Sequence, residues 1–187
     1  MPFIVVYDAN ALYGNTLRDL LIRIAQTGLV QAKWTDRILD EALAGVRKRH
    51  PDLPPERLAR LRELMIQAVP DCIIRGHEPP IDGLQLRDPD DRHVLAAAIK
   101  AGAQVIVTWD KDFTSDALAP WNIEAKTPDD FVRDQIDIAD RMIWGVRPAD
   151  RQLTLQSARD GRGSARSVGA ASALRPFVAA LGSTGLT

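Results

Sequence analysis

The chain has 187 residues, of which 45% are hydrophobic, and this length predicts one packed domain with an appendage rather than two ordinary domains. Its 24 basic and 25 acidic residues leave a formal net charge of −1, so no overall positive field indicates a nucleic-acid-binding protein. RNA binding stays open, because local basic patches can provide it.

The amino-terminal residues, MPFIVVYD, predict a buried strand rather than a targeting segment. They lack a basic region and meet an acid too early for a signal peptide, and no apolar run in the sequence reaches the roughly 18 residues of a membrane span. Cys72 is the single cysteine, which excludes an internal disulfide and suits a reducing compartment. We therefore expect a soluble, cytoplasmic protein that makes no contact with membranes.

The first predicted strand, Phe3–Tyr7, places an acid at its carboxyl end. It is apolar and rich in β-branched residues, and it stops at Asp8. A helix follows, capped by Asn15 or Thr16 and closed by Gly28, with leucine and isoleucine at helical spacing. This strand and helix predict the start of a βαβ unit.

The second predicted helix carries two neighbouring acids whose orientation the periodicity leaves open. It follows a short extended piece, Leu29–Trp34, and Thr35 is its expected N-cap. Asp40 and Glu41 flank the apolar stripe at about equal angles from its centre. Either acid can therefore face a site.

Several cations cluster around the end of this helix and the beginning of the next, which Pro54 and Pro55 open. The cations are Arg47, Lys48, Arg49, Arg57, Arg60 and Arg62. They can form a solvated face that suits the helix dipole, or a rim that contacts the phosphates of RNA. Both interpretations stay open, because only geometry separates them.

The next segment has weaker patterns. A short strand is predicted at Asp71–Arg75, and an irregular connection rich in Pro and Gly at Gly76–Leu84. This connection returns the chain to a helix.

That helix points one acid toward the core. Asp88 can cap it and Gly102 closes it, around an apolar stripe of valine, leucine, alanine and isoleucine. At about 100° per residue, Asp91 falls on the centre of this stripe, Asp90 lies well off it, and His93 lies almost opposite it. We therefore expect Asp91 to be the acid that faces a site.

Val105–Val107 predicts a strand that is buried on both faces. Its residues are all β-branched, as in the parallel strands of α/β proteins, and Thr108, Asp110 and Asp112 follow its carboxyl end. Open α/β sheets bind their ligands at this edge. Together with Asp8 after the first strand, these side chains predict a site.

The remaining chain predicts an edge strand at Ile123–Lys126 and a helix that begins at Thr127. Residues 1–145 are expected to form the domain, and residues 146–187 a flexible extension with one short amphipathic helix. No internal repeat is visible, which argues against a solenoid.

The acids of the predicted site would repel one another. They are Asp8, Asp91, Asp110 and Asp112, together with Asp40 or Glu41. Two carboxylates about 4 Å apart repel by roughly 1 kcal/mol at the dielectric of water, and by more inside a protein, so the cluster requires protons or a cation. Oxygen ligands favour Mg²⁺ or Mn²⁺, and no spacing of Cys and His supports zinc.

Four motifs follow one another along the chain: VYDANALYG, TDRILDE, DPDDRHVLAAA and VTWDKDF. From about Phe3 to Phe131 they resemble PIN-domain ribonucleases, in particular the VapC-type toxins of bacterial toxin–antitoxin systems. The resemblance implies a PIN-like three-layer α/β fold with a central, mostly parallel sheet flanked by helices. It also implies a Mg²⁺- or Mn²⁺-dependent endoribonuclease that hydrolyses RNA with metal-activated water, as the toxin of a type II toxin–antitoxin pair.

The resemblance also implies roles for individual residues. The catalytic and metal-binding acids are Asp8, Glu41, Asp91 and Asp112, with Asp110 as a further metal ligand. Many relatives have one acid where this chain has the pair Asp110 and Asp112, so the main fourth ligand stays open. Asn10 and Thr108 correspond to polar positions that line such sites. The family further implies a homodimer and a cognate antitoxin whose peptide blocks the acidic cleft.

Other classes of protein compete with a nuclease. A haloacid-dehalogenase-like phosphatase carries a second acid where this chain has Asn10. A receiver-type signalling module carries its phosphoacceptor after the third strand, whereas the acids here are predicted after strands one and four. A catalytically inert PIN-like module that only binds RNA or an antitoxin is the third alternative, against which the presence of every expected acid argues.

Overall fold

The computed structural model describes residues 3–77, 83–84 and 86–144. The extension predicted over residues 146–187, with its short helix, lies outside the described residues, as does part of the connection predicted at Gly76–Leu84. In the described part of the chain, no helix combines the length and the apolar character needed to pass through a lipid bilayer.

Four parallel strands form the sheet on which the described chain is built. They are β1 (Phe3–Tyr7), β2 (Val30–Lys33), β3 (Val105–Val107) and β4 (Glu124–Lys126), in the order β2-β1-β3-β4. Tyr7 pairs with Val107 at the carboxyl ends of the two middle strands. The chain passes from β1 to β2 and then returns to the other side of β1, so the sheet has a switch point between β1 and β3. This topology confirms the predicted parallel α/β sheet.

The described residues also form seven α-helices. They are α1 (Ala9–Leu12), α2 (Asn15–Gln26), α3 (Asp36–Arg49), α4 (Pro55–Ala68), α5 (Arg92–Ala101), α6 (Ser115–Leu118) and α7 (Pro128–Trp144). Short 3₁₀ turns at Pro89–Asp91 and Ala119–Trp121 precede α5 and β4. Gly102, with a left-handed φ of 64°, ends α5 as predicted.

The chain divides into two compact units, Met1–Gln135 and Ile136–Thr187, whereas the sequence predicts a boundary after residue 145. The first unit contains the sheet and helices α1 to α6. Of the second unit, the structure describes residues 136–144, which form the second half of α7.

The middle of the sheet is buried on both faces, because helices cover it from both sides. The last three residues of β1 and all residues of β3 are buried. The Tyr7 ring stacks on Trp34 with centroids 6.2 Å apart and meets Phe131 edge-on at 5.8 Å. Its hydroxyl donates to Leu21 O at 3.2 Å. These contacts hold α2 and the start of α7 against β1, the strand that Asp8 follows.

Helix α2 begins without the predicted side-chain cap. It starts at Asn15, and Gly14 occupies the capping position with no side-chain hydrogen bond. The side-chain oxygen Oδ1 of Asn15 accepts a hydrogen bond from Arg18 Nη2 at 2.6 Å, so it is engaged with a guanidinium rather than with the helix backbone. The prediction that Asn15 or Thr16 caps this helix is therefore wrong.

The strand predicted at Asp71–Arg75 does not join the sheet. Within these described residues a single β-bridge forms, between Ile73 and Trp34, and Asp71 has a left-handed φ of 55°. Among the described residues β3 is therefore the third strand and not the fourth, so the strand count that argued against a receiver-type module is wrong.

The predicted N-cap of α3 is confirmed and allows a stability prediction. Thr35 is buried, and its Oγ1 accepts a hydrogen bond from Ile38 N at 3.1 Å. Thr35→Ala removes this acceptor and should lower the free energy of unfolding by about 1 kcal/mol, or the Tm by about 2–4 °C. Thr35→Ser keeps the acceptor and should recover most of the loss in thermal denaturation. Equal losses in the two variants would assign the effect to the methyl group instead.

Candidate active site

The carboxyl ends of β1 and β3 bring two distant residues side by side. Asp8 directly follows β1 and Thr108 directly follows β3, and both are buried. Asp8 N donates to Val107 O at 3.1 Å, and the Thr108 hydroxyl donates to Asp8 Oδ2 at 2.7 Å. The pairing of the two strands therefore brings the first two residues of the candidate site together.

Asn10 connects these residues to the loop after β3. Its Nδ2 donates to Asp8 Oδ2 at 2.7 Å and to Thr108 Oγ1 at 2.9 Å, and its Oδ1 accepts from Trp109 N at 2.9 Å. Asp8 also caps α1, because its Oδ1 accepts from Ala9 N at 2.6 Å. Both oxygens of Asp8 are hydrogen bonded, so its carboxylate is held in one orientation.

Burial has the largest effect on the ionisation of Asp8. It raises the pKa of this carboxyl, and the hydrogen bonds from the Thr108 hydroxyl and from Ala9 N oppose the increase. The charge of Glu41 raises the pKa of Asp8 further. Helix α3, which carries Glu41, therefore lies within electrostatic reach of the end of β1.

Asp91 faces other acids from the turn before α5. It is half-buried, and burial together with the charges of Asp110 and Asp8 raises its pKa from 3.8 to about 7. A hydrogen bond between the Asp91 and Asp110 side chains adds to the increase. Asp90, by contrast, is exposed. Asp91 is thus the acid of this pair that approaches Asp8 and Asp110.

Glu41 and Asp40 on helix α3 have different partners, and the Glu41 side chain is 40% exposed. His93 Nε2 lies 3.3 Å from Glu41 Oε2, and Arg37 Nε donates to Glu41 Oε1 at 3.0 Å. Burial alone would raise the pKa of Glu41, but the contacts with His93 and Arg37 outweigh burial and lower it below the ordinary value. The Asp40 side chain is 70% exposed and pairs with Arg62. The two acids, equivalent by periodicity, therefore have different surroundings.

His93 belongs to the site, although the sequence analysis placed it opposite the buried stripe of its helix. It is 2% exposed, and every residue from His93 to Ala98 is buried. A helical wheel assumes one buried stripe, whereas α5 packs against the sheet and also meets Glu41 of α3. The signal for this arrangement was the uninterrupted apolar run VLAAAI after His93, since a helix that is apolar all round is enclosed.

The two acids after β3 occupy different positions. Asp110 N donates to Thr108 Oγ1 at 2.9 Å, and the side chain of Asp110 raises the pKa of Asp91. Asp112 N donates to Asp110 Oδ1 at 2.8 Å, while the carboxylate of Asp112 lies 3.5 Å from Arg87 Nη1. Asp110 is therefore the acid of this pair that meets Asp91.

The predicted basic cluster lies on α3 and α4, and several of its cations are engaged within the chain. Arg60 pairs with Glu63 at 2.9 Å, and the guanidinium of Arg49 lies 4.4 Å from the centroid of the Tyr13 ring. The exposed cations that remain for an anionic ligand are Arg47, Lys48 and Arg57. Arg62 pairs with Asp36 and Asp40. The solvated-face interpretation therefore suits Arg49, Arg60 and Arg62 better than the other three.

The acids suit a hard divalent cation by their chemistry. In the described part of the chain, no three His, Cys, Asp or Glu side chains stand close enough together to hold an ion as they are placed. Burial and then the charges of Asp110 and Asp8 raise the pKa of Asp91, and a cation relieves such repulsion between carboxylates. Carboxylate oxygens are the ligands that Mg²⁺ and Mn²⁺ prefer. The donor set therefore fits such an ion.

This fold, with acids after β1 and β3, is shared with a known family. The chain belongs to the PIN domain family, whose sequence pattern matches residues 4–112. Over 49 residues it is 57% identical to the protein named "Putative ribonuclease VapC50" of Mycobacterium tuberculosis (strain ATCC 25618 / H37Rv). That similarity covers 26% of this chain and 29% of the length of the relative. No solved structure matches the chain.

The raised pKa of Asp91 allows a prediction of stability against pH. Because the fold disfavours the ionised form, the metal-free protein should lose stability as the pH rises from 3.8 to about 7. Asp91→Asn removes the charge. Since solvent screens this half-exposed group, the variant should raise the Tm by only about 2–4 °C at about pH 8, and should give no gain below pH 4.

Asp90→Asn is the matched control for this experiment, because Asp90 lies on the same turn but is exposed. Asp90→Asn should leave the Tm unchanged both at about pH 8 and below pH 4. Differential scanning calorimetry in EDTA measures both variants. If Asp91→Asn melts below the wild type at about pH 8, the acids do not repel one another as described.

Proposed function

We propose that this protein is a metal-dependent endoribonuclease, which hydrolyses phosphodiester bonds in RNA. The observation that carries the proposal is that Asp8 follows β1, Asp110 lies in the loop after β3, and the charges of both act on Asp91 at the switch point of a PIN-family sheet. An acid whose pKa is raised by neighbouring acids at a ligand-binding edge is typical of sites that bind divalent cations for phosphoryl chemistry. The mycobacterial relative is named "Putative ribonuclease VapC50", which supports ribonuclease activity.

The proposed ligands of Mg²⁺ or Mn²⁺ are Asp8, Asp91 and Asp110. Glu41 is a further ligand or orients the attacking water. Asp110 is preferred to Asp112 because it meets Asp91, whereas the Asp112 carboxylate faces an arginine. Asp112 supports Asp110 through its backbone N–H. When bound, such an ion would neutralise the acids and stabilise negative charge on the scissile phosphate.

Hydrogen bonds within the chain prepare these acids before substrate binds. Asn10 and Thr108 hold the Asp8 carboxylate in one orientation. His93 favours the ionised form of Glu41, whose carboxylate can then accept a hydrogen bond from the attacking water. Water adds to phosphorus, the bond to the leaving RNA oxygen breaks, and the reaction needs no protein nucleophile.

We further propose that the protein is the toxin of a type II toxin–antitoxin pair and acts on RNA in the cytoplasm. The VapC name of the relative supports the toxin class. An antitoxin peptide that covers the acids would block access of RNA, so the complex should be inactive. A homodimer is part of the same proposal, and exposed apolar side chains such as Leu64, which is 45% exposed on α4, offer surface for a second copy.

The alternatives are less well supported. Membership of the PIN family does not favour a haloacid-dehalogenase-like phosphatase or a receiver-type module. The phosphatase would need a free acid at position 10, where the Asn10 amide is instead engaged with Asp8, Thr108 and Trp109. A measurement of RNA cleavage distinguishes the third alternative, a catalytically inert PIN-like module, from the proposed nuclease.

Cleavage of a panel of structured RNAs tests the proposed activity. The wild type should cut RNA only when Mg²⁺ or Mn²⁺ is present. Asp8→Asn and Glu41→Gln should each lower the rate by about a hundredfold or more, because each removes a carboxylate that binds the ion or positions water. Asp40→Asn is the matched control on the same helix and should keep the wild-type rate.

Thermal denaturation gives a second readout that does not depend on the RNA target. An ion at about a hundredfold excess over its Kd should stabilise the wild type by about 2.7 kcal/mol, and Asp91→Asn should reduce this gain while Asp90→Asn keeps it. A wild type that neither cuts RNA nor gains stability from either ion would contradict the proposal. Stabilisation without cleavage of any RNA would favour the inert module.

The exposed cations of the basic cluster allow a separate prediction. If Arg47 and Lys48 contact phosphates, reversing both to Glu should weaken RNA binding and lower the slope of log Kd against log salt by about 1 to 2. The cleavage rate at saturating RNA should not change. Reversal of Arg23, which is exposed on α2, is the control and should leave the slope unaltered. An unchanged slope for the Arg47 and Lys48 variant would assign the cluster to a solvated face.

A further inference from the structure

Trp109 is a large exposed side chain at the rim of the acids. It stands in the sequence between Thr108 and Asp110, and 43% of its surface is exposed. Within the described residues, no aromatic ring or cation stacks on its indole. An aromatic face is therefore free beside the site.

The backbone on both sides of Trp109 is tied to the site. Trp109 N donates to Asn10 Oδ1 at 2.9 Å, and Asp110 N donates to Thr108 Oγ1 at 2.9 Å. The same Asn10 side chain donates to Asp8 Oδ2 at 2.7 Å. The indole therefore extends from a backbone position that is held relative to the acids.

An uncharged aromatic surface compensates for the charge of the acids. Carboxylates repel the phosphates of RNA until a cation neutralises them, so a contact that does not depend on charge adds affinity near the scissile bond. Stacking of a nucleobase on an aromatic side chain contributes roughly 5- to 150-fold in affinity per base. The Trp109 indole is suited to supply this contact.

We propose that Trp109 is a stacking platform for an unpaired nucleobase of the substrate, next to the scissile phosphate. This inference rests on the proposed nuclease function and adds a residue that contacts a base of the substrate. A base within a duplex has both faces covered by its neighbours, so it cannot stack on the indole unless it leaves the helix. Because every base has a π face, Trp109 selects unpaired structure rather than sequence.

Trp121 supplies a matched control within the same chain. It is 45% exposed and ends the 3₁₀ turn that precedes β4. Because all four strands are parallel, the beginning of β4 lies at the edge of the sheet opposite to Asp8 and Thr108. Trp121 therefore has the same chemistry and nearly the same exposure as Trp109 but lies away from the acids.

The test compares cleavage of a short unstructured RNA with cleavage of the same RNA annealed to its complement, using the full chain with Mn²⁺. Trp109→Ala should raise the KM for the unstructured RNA by about tenfold. Trp109→Leu should do the same although it stays apolar, whereas Trp109→Phe keeps a π face and should recover most of the affinity. Trp121→Ala should match the wild type, and every variant should cut the duplex equally poorly.

Quenching of tryptophan fluorescence by the unstructured RNA gives a readout that does not require cleavage. RNA should quench the wild type more than it quenches Trp109→Phe. The stacking proposal is overturned if Trp109→Leu keeps the wild-type KM, if Trp121→Ala loses as much affinity, or if the wild type binds no unstructured RNA. If RNA quenches Trp109 but neither Mn²⁺ nor Mg²⁺ supports cleavage, the nuclease proposal fails while the stacking platform stands.

Discussion

The register of β1 and β3 is the constraint on which the site depends. Tyr7 pairs with Val107, and Asp8 N donates to Val107 O at 3.1 Å, so the chain leaves both strands at the same level. A slip of one residue would turn the side chains of β1 to the opposite faces of the sheet and separate Asp8 from Thr108. The slip would also remove the buried Tyr7 ring from its contacts with two other aromatic rings. Core packing therefore protects the geometry of the acids.

The acids near the carboxyl ends of β1 and β3 differ in their electrostatic surroundings. Asp8 is buried, and its hydrogen bonds offset part of the increase in its pKa. Glu41 has a lowered pKa because of its contacts with His93 and Arg37. Asp91, with a pKa of about 7, can be neutral without a cation and can ionise when one binds. The protein can thus fold with its acids together and still offer them to an ion in the proposed function.

The proposed recognition of RNA uses two kinds of contact that lie outside the acids. The net charge of −1 provides no general attraction for a polyanion, and the acids repel phosphate. Exposed cations on α3 and α4 would supply charge-dependent affinity, whereas Trp109 would place a base without using charge. RNA binding and catalysis would therefore depend on different side chains. A substitution that weakens RNA binding can then leave the catalytic acids intact.

The sequence by itself determined the central strands, the cap at Thr35 and the acids that end the strands, because periodicity and capping depend on residues within one or two turns. Its motifs also determined the family. Only the tertiary structure shows that Glu41 contacts the buried His93 whereas Asp40 pairs with Arg62. A helical wheel compares angles on one helix, whereas α3 and α5 each pack against more than one element and touch each other through these side chains. Which acid after β3 meets Asp91 depended on the conformation of a loop, on which periodicity has no bearing.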